Sequence, residues 1–72
     1  NVRVASKNGW EDNKPIKDIV GKYATQLGEN GQLLVRASGT EPLIRIMAEG
    51  PDQAELEEIA EQIAEVVRKE LA

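Results

Sequence analysis

Gln32-Leu33-Leu34-Val35-Arg36-Ala37-Ser38-Gly39-Thr40-Glu41-Pro42-Leu43-Ile44-Arg45-Ile46-Met47-Ala48-Glu49 is the stretch that decides how this chain folds. Two runs of strand-forming character, residues 32–36 and 43–49, flank six residues rich in turn chemistry. A link that short makes an antiparallel hairpin the expected pairing. Side chains alternate along a strand, so Ile44, Ile46 and Ala48 share one face. Leu43, Arg45, Met47 and Glu49 share the other. Arg36 leaves the first strand as Arg45 enters the second, which brings two guanidiniums to the same end of the sheet.

The flanks supply the rest of a small fold. Val2-Arg3-Val4-Ala5 alternates as a half-buried strand does. Lys7-Asn8-Gly9 signals a turn, and Trp10-Glu11-Asp12 reads as irregular. Residues 13–27 read as a helix. Pro15 suits its first turn, and Ile16, Ile19, Val20, Tyr23 and Leu27 recur at spacings of three and four. Gly21 weakens that helix by about 1 kcal/mol relative to alanine. Gly28 is placed to end it, and Glu29-Asn30-Gly31 is a turn. Gly50-Pro51-Asp52 opens the last helix, with Asp52 as N-cap and Glu55 completing a capping box. Leu56, Ile59, Ala60, Ile63, Val67 and Leu71 form its apolar stripe. Arg68 and Lys69 sit in its last turn, where they complement the helix dipole. The order is β-α-β-β-α. The expected class is α+β: a small, mainly antiparallel sheet with both helices packed on one face.

Composition narrows the chemistry. With 72 residues the chain is one domain. It has no cysteine and no histidine, which removes disulfides, thiolate metal sites and the commonest general base. No apolar run is long enough to span a bilayer, and an intracellular, cytoplasmic setting is expected, with no membrane partner. The chain opens directly in strand alternation and reads as a piece of something longer. Residues 52–72 hold seven acids and two bases, while the rest hold six acids and seven bases, so the net charge of −4 belongs to the last helix. A nucleic-acid-binding module would need a basic surface and aromatic residues on its strands. Neither is present, because the two aromatics are Trp10 and Tyr23.

The loop carries the functional signal. Arginine forks match phosphate oxygens two at a time, and Ser38 and Thr40 add short donors. Gly39 allows a turn in which backbone N–H groups converge on an anion. Gly, Ser, Thr and Pro are also ordinary turn residues. Two arginines at the shoulders call for a counter-anion. From the residues alone, that anion is either a bound phosphate or Glu41. Other residues have plainer expectations. Tyr23 belongs to the core, and Met47 to the core or the sheet edge. Trp10 packs against a neighbouring domain or over the end of the sheet. Arg3 either reaches the loop or lies on the sheet surface.

Arg36-Ala37-Ser38-Gly39-Thr40-Glu41-Pro42-Leu43-Ile44-Arg45-Ile46-Met47-Ala48-Glu49-Gly50 resembles the C-terminal signature of the α-D-phosphohexomutases. Within that superfamily the stretch is most similar to the bacterial phosphoglucosamine mutase branch, as are Asn1-Val2-Arg3-Val4 and Gly9-Trp10-Glu11-Asp12. The resemblance extends over essentially the whole chain. It implies a TATA-box-binding-protein-like fourth domain, residues 1–72, of a four-domain enzyme. In such enzymes a phosphoserine in the first domain and Mg2+ in the second perform phosphoryl transfer. The third domain helps to recognise the sugar, and the fourth closes over the substrate and grips its phosphate.

Carried onto this sequence, the resemblance makes Arg36, Ser38, Gly39, Thr40 and Arg45 the phosphate ligands. Glu41 and Pro42 would shape the loop. The catalytic serine and the Mg2+ site of the family would lie outside this chain. The implied partners are a phosphosugar and the other domains of the same protein, not nucleic acid. The implied reaction is the interconversion of glucosamine 6-phosphate and glucosamine 1-phosphate. The alternatives are a phosphoglucomutase or phosphomannomutase of the same superfamily, or an interaction module with no ligand.

Overall fold

The computed structural model describes residues 2–5 and 9–71. Its centre is a hairpin of β2 (Gln32–Ala37) and β3 (Leu43–Glu49). The two pair antiparallel from Gln32↔Glu49 to Ala37↔Ile44. Strand β2 runs one residue beyond the expected end at Arg36, which leaves residues 38–42 as the loop. Strand β1 (Val2–Arg3) pairs with the other edge of β3, Val2 opposite Ile44 and Arg3 opposite Leu43. The sheet order is β1-β3-β2, and both pairings are antiparallel.

Strand β1 is shorter than the four residues expected because its backbone changes partners. The Val4 N–H donates to the Pro42 carbonyl at 2.9 Å, and the Ala5 N–H donates to the Leu71 carbonyl at 3.0 Å. The chain thus passes from the sheet to the loop and then to the end of the last helix. Of the expected turn at Lys7-Asn8-Gly9, the first two residues lie outside the described ones. Gly9 has φ +81°, a left-handed conformation that favours glycine. Trp10–Asp12 is a single 3-10 turn rather than irregular chain. It is closed by the Asp12 N–H donating to the Gly9 carbonyl at 3.1 Å.

Helix α1 spans Lys14–Leu27 and α2 spans Gln53–Glu70. Asn13 is not in α1 but caps it: its Oδ1 accepts from the Ile16 N–H at 3.1 Å. Gly28 ends α1 with φ +56° and donates its N–H to the Ala24 carbonyl. Gly21 leaves the helix unbroken. At the start of α2, the Asp52 carboxylate accepts from the Glu55 N–H at 3.1 Å. The other half of the capping box is not made. The Glu55 carboxylate instead accepts from Gln26 Nε2 of α1 at 3.3 Å, tying the helices together. A second tie runs from Asn13 Nδ2 to Glu70 Oε1 at 3.2 Å.

The apolar faces meet in one core on the inner side of the sheet. Ile16 of α1, Ile44 of β3, and Ile59, Ile63 and Val67 of α2 are its fully buried members. Ala64 joins them, a buried position outside the stripe expected for α2. Leu33, Val35, Ile46 and Ala48 pack against the cluster from the sheet, Tyr23 and Trp10 from its margins. Trp10 therefore packs on this domain's own core. Leu43 belongs by alternation to the outer face but is buried all the same. Arg3 flanks it in β1, and both Ser38 and Glu41 bond its backbone on the loop side.

Gly31 is required where the hairpin begins. A Cβ there would stand 2.5 Å from the Glu49 carbonyl oxygen and 3.2 Å from Leu27. The β2–β3 pairing and the end of α1 converge on that point.

Core and cap contributions differ in size. Ile63→Ala is expected to cost about 2–5 kcal/mol and Asp52→Ala about 1 kcal/mol. Urea unfolding of the two variants measures both. An Ile63→Ala midpoint no lower than that of Asp52→Ala would contradict this placement of the core.

Candidate functional site

The strand register decides how the two arginines meet. Arg36 and Arg45 are directly opposed partners in the β2–β3 ladder. Both are exposed, on the outer face away from the helices. The Ser38 N–H donates to the Leu43 carbonyl at 3.0 Å, which sets the phase of the ladder. Two residues further along, Arg36 and Arg45 form a hydrogen-bonded pair, whose Cα atoms in such ladders lie about 5.5 Å apart. Like charges in that position destabilise a hairpin.

Among the described residues no carboxylate is paired with either of them. The ion pairs among the described residues are Arg3–Glu41 and Lys14–Asp18, each at 3.2 Å. Glu41, the internal counter-anion that the sequence leaves open, is bound to Arg3 instead. That contact also shows that Arg3 reaches the loop rather than lying on the sheet surface.

Beside the arginines is an open concavity of about 360 Å³ lined by Arg36, Ala37, Ser38, Gly39, Thr40 and Arg45. It thus gathers all five residues expected to hold phosphate. Glu41 and Pro42 lie outside its lining. Their bonds run within the loop and to β1. The Glu41 N–H donates to Ser38 Oγ at 3.4 Å, and the Glu41 carbonyl accepts from the Leu43 N–H at 2.8 Å. The Pro42 carbonyl accepts from Val4.

Gly39 differs from the sequence reading. Its φ is not positive, and a Cβ built on it meets nothing within 4 Å. The turn here is one that any L-residue adopts, so the fold of this chain places no demand for glycine at 39. Met47 is also not a core residue. It is 48% exposed on the outer face, opposite Leu34 at 45%. The register brings this apolar pair two residues along from the arginines. Single-strand alternation shows which face Met47 takes but not that the outer face lacks a cover.

The sequence profile for the phosphoglucomutase/phosphomannomutase C-terminal domain matches residues 1–66. The chain belongs to this family. Family relatives include the phosphoglucosamine mutase of Symbiobacterium thermophilum, 51% identical over 99% of this chain. The phosphoglucosamine mutase of Desulfotalea psychrophila is 48% identical over 96%, and that of Listeria monocytogenes 43% over 100%. The chain spans only 15–16% of the length of these three relatives. Among the described residues no group of three or more acidic side chains is placed to hold a metal ion. No helix of the described residues is long and apolar enough to cross a membrane.

The opposed arginines carry a cost in stability. Arg45→Glu would place a carboxylate opposite Arg36 and is expected to stabilise the hairpin by about 0.2–1 kcal/mol. Urea unfolding of the variant and the parent measures it. A lower midpoint for Arg45→Glu would contradict the repulsion.

Proposed function

We propose that this chain is the phosphate-gripping C-terminal domain of a larger phosphosugar mutase, one that interconverts glucosamine 6-phosphate and glucosamine 1-phosphate. The observation that carries this reading is the pair of opposed, exposed arginines with no carboxylate partner among the described residues, beside the loop concavity. A phosphate dianion supplies the missing charge and matches both guanidinium forks. The amino sugar is inferred from the names of the relatives.

On this reading the residues divide their tasks. Arg36 and Arg45 donate from the two strands. Ser38, Gly39 and Thr40 close the concavity from the loop, through backbone N–H groups and hydroxyls. The absence of a Cβ at 39 leaves the loop backbone open to close approach. Phosphoryl transfer itself would take place between a phosphoserine and the substrate in other domains, where Mg2+ supplies charge neutralisation. The domain described here holds the phosphate that is not being transferred and so fixes the position of the reacting end. A mutase must grip either of two phosphates. A site that reads phosphate and ignores the sugar suits that requirement. Charge-assisted bonds of this kind can also drive closure of a domain over its substrate.

Removing one charged donor forfeits about 1.5–3 kcal/mol, a loss of roughly 10- to 150-fold in rate. Arg36→Ala and Arg45→Ala in the full-length enzyme are each expected to lower kcat/KM for glucosamine 6-phosphate by that factor. Arg36→Lys should recover only part of it, since an ammonium cannot engage two oxygens as a fork does. Activity within twofold of the parent in both alanine variants would overturn the assignment.

A further inference from the structure

Glu41 poses a problem for an anion site. It directly follows Thr40, which lines the concavity, and a carboxylate fits an arginine fork as well as a phosphate does. Left to itself, it would compete for Arg36 and Arg45. We infer that Arg3 is a positioning residue that holds Glu41 off the arginine pair and so keeps that pair open to phosphate. This inference rests on the phosphate reading above.

The geometry supports it from two sides. The Glu41 main chain is fixed by its N–H on Ser38 Oγ and its carbonyl on the Leu43 N–H. The direction of its side chain is what remains to be decided. Arg3 decides it, with Nη2 at 3.2 Å from Oε2. Arg3 is brought there by the pairing of β1 with Leu43 and by the Val4 bond to the Pro42 carbonyl. The two side chains are 74% and 53% exposed, and exposed pairs of this kind add little to stability. The contact therefore acts by removing a rival anion rather than by holding the fold.

The full-length protein, titrated with inorganic phosphate by calorimetry, tests this. Arg3→Met frees Glu41 and is expected to weaken phosphate binding about tenfold, the equivalent of one charge-assisted hydrogen bond. Arg3→Lys keeps the charge and should retain affinity. Glu41→Gln alone should leave affinity within about twofold, since the pair itself contributes little. Arg3→Met combined with Glu41→Gln should restore binding, because the rival is gone. If the double variant stays as weak as Arg3→Met, or if Glu41→Gln alone is equally weak, the contact merely braces the loop and the inference fails. Arg36→Ala serves as the control. If it leaves phosphate binding unchanged, the phosphate reading itself is at fault rather than the role of Arg3.

Discussion

The pairing of β2 with β3 is the constraint on which everything else depends. Its register puts Ile44 and Val35 inward and Arg36 opposite Arg45 outward. A slip of one residue would turn every one of these side chains to the other face. The core therefore enforces the site. Ile44 is fully buried against Ile59 and Ile63 in one cluster, and those contacts are lost if the register moves. Two arginines that repel are held together because the residues between and behind them have nowhere else to go. Gly31 guards the open end of the same hairpin, where a side chain would strike Glu49.

Charge is arranged in the same spirit. The acids of α2 belong to the helix layer on the inner side of the sheet, while the arginines are exposed on its outer face. The net negative charge of the chain thus coexists with a locally positive patch. The one acid within the loop is paired with a residue from β1. Local charge, not the total, decides what this surface attracts.

Much of this is legible from the sequence for specific reasons. The hairpin and its facing residues follow from period-two alternation around a short link. Helix α2 follows from a long, regular stripe between a capping aspartate and terminal bases. The features that escape local reading depend on distant partners. Glu55 leaves its capping box because Gln26, far away in sequence, offers a donor. Asn13 is recognisable as a cap only once the helix start is known to the residue. Leu43 is buried by chain on either side of it, which alternation cannot report. Arg3 meets Glu41 only because β1 lies beside β3 rather than β2, a choice of sheet order that no short motif encodes. The five candidate residues around the concavity are close in sequence or across one hairpin, so local rules suffice to gather them.

The hairpin's two glycines carry different kinds of information. Gly31 is crowded by its own chain, so any larger residue there is rejected during folding. Gly39 is crowded by nothing and strained by nothing. A library of residues at 39 screened for a folded product would be nearly silent. On the proposed phosphate reading, the same library screened for anion capture would report directly on how near a ligand comes to the main chain. Position 39 is thus a place where folding and recognition can be read separately in a single protein.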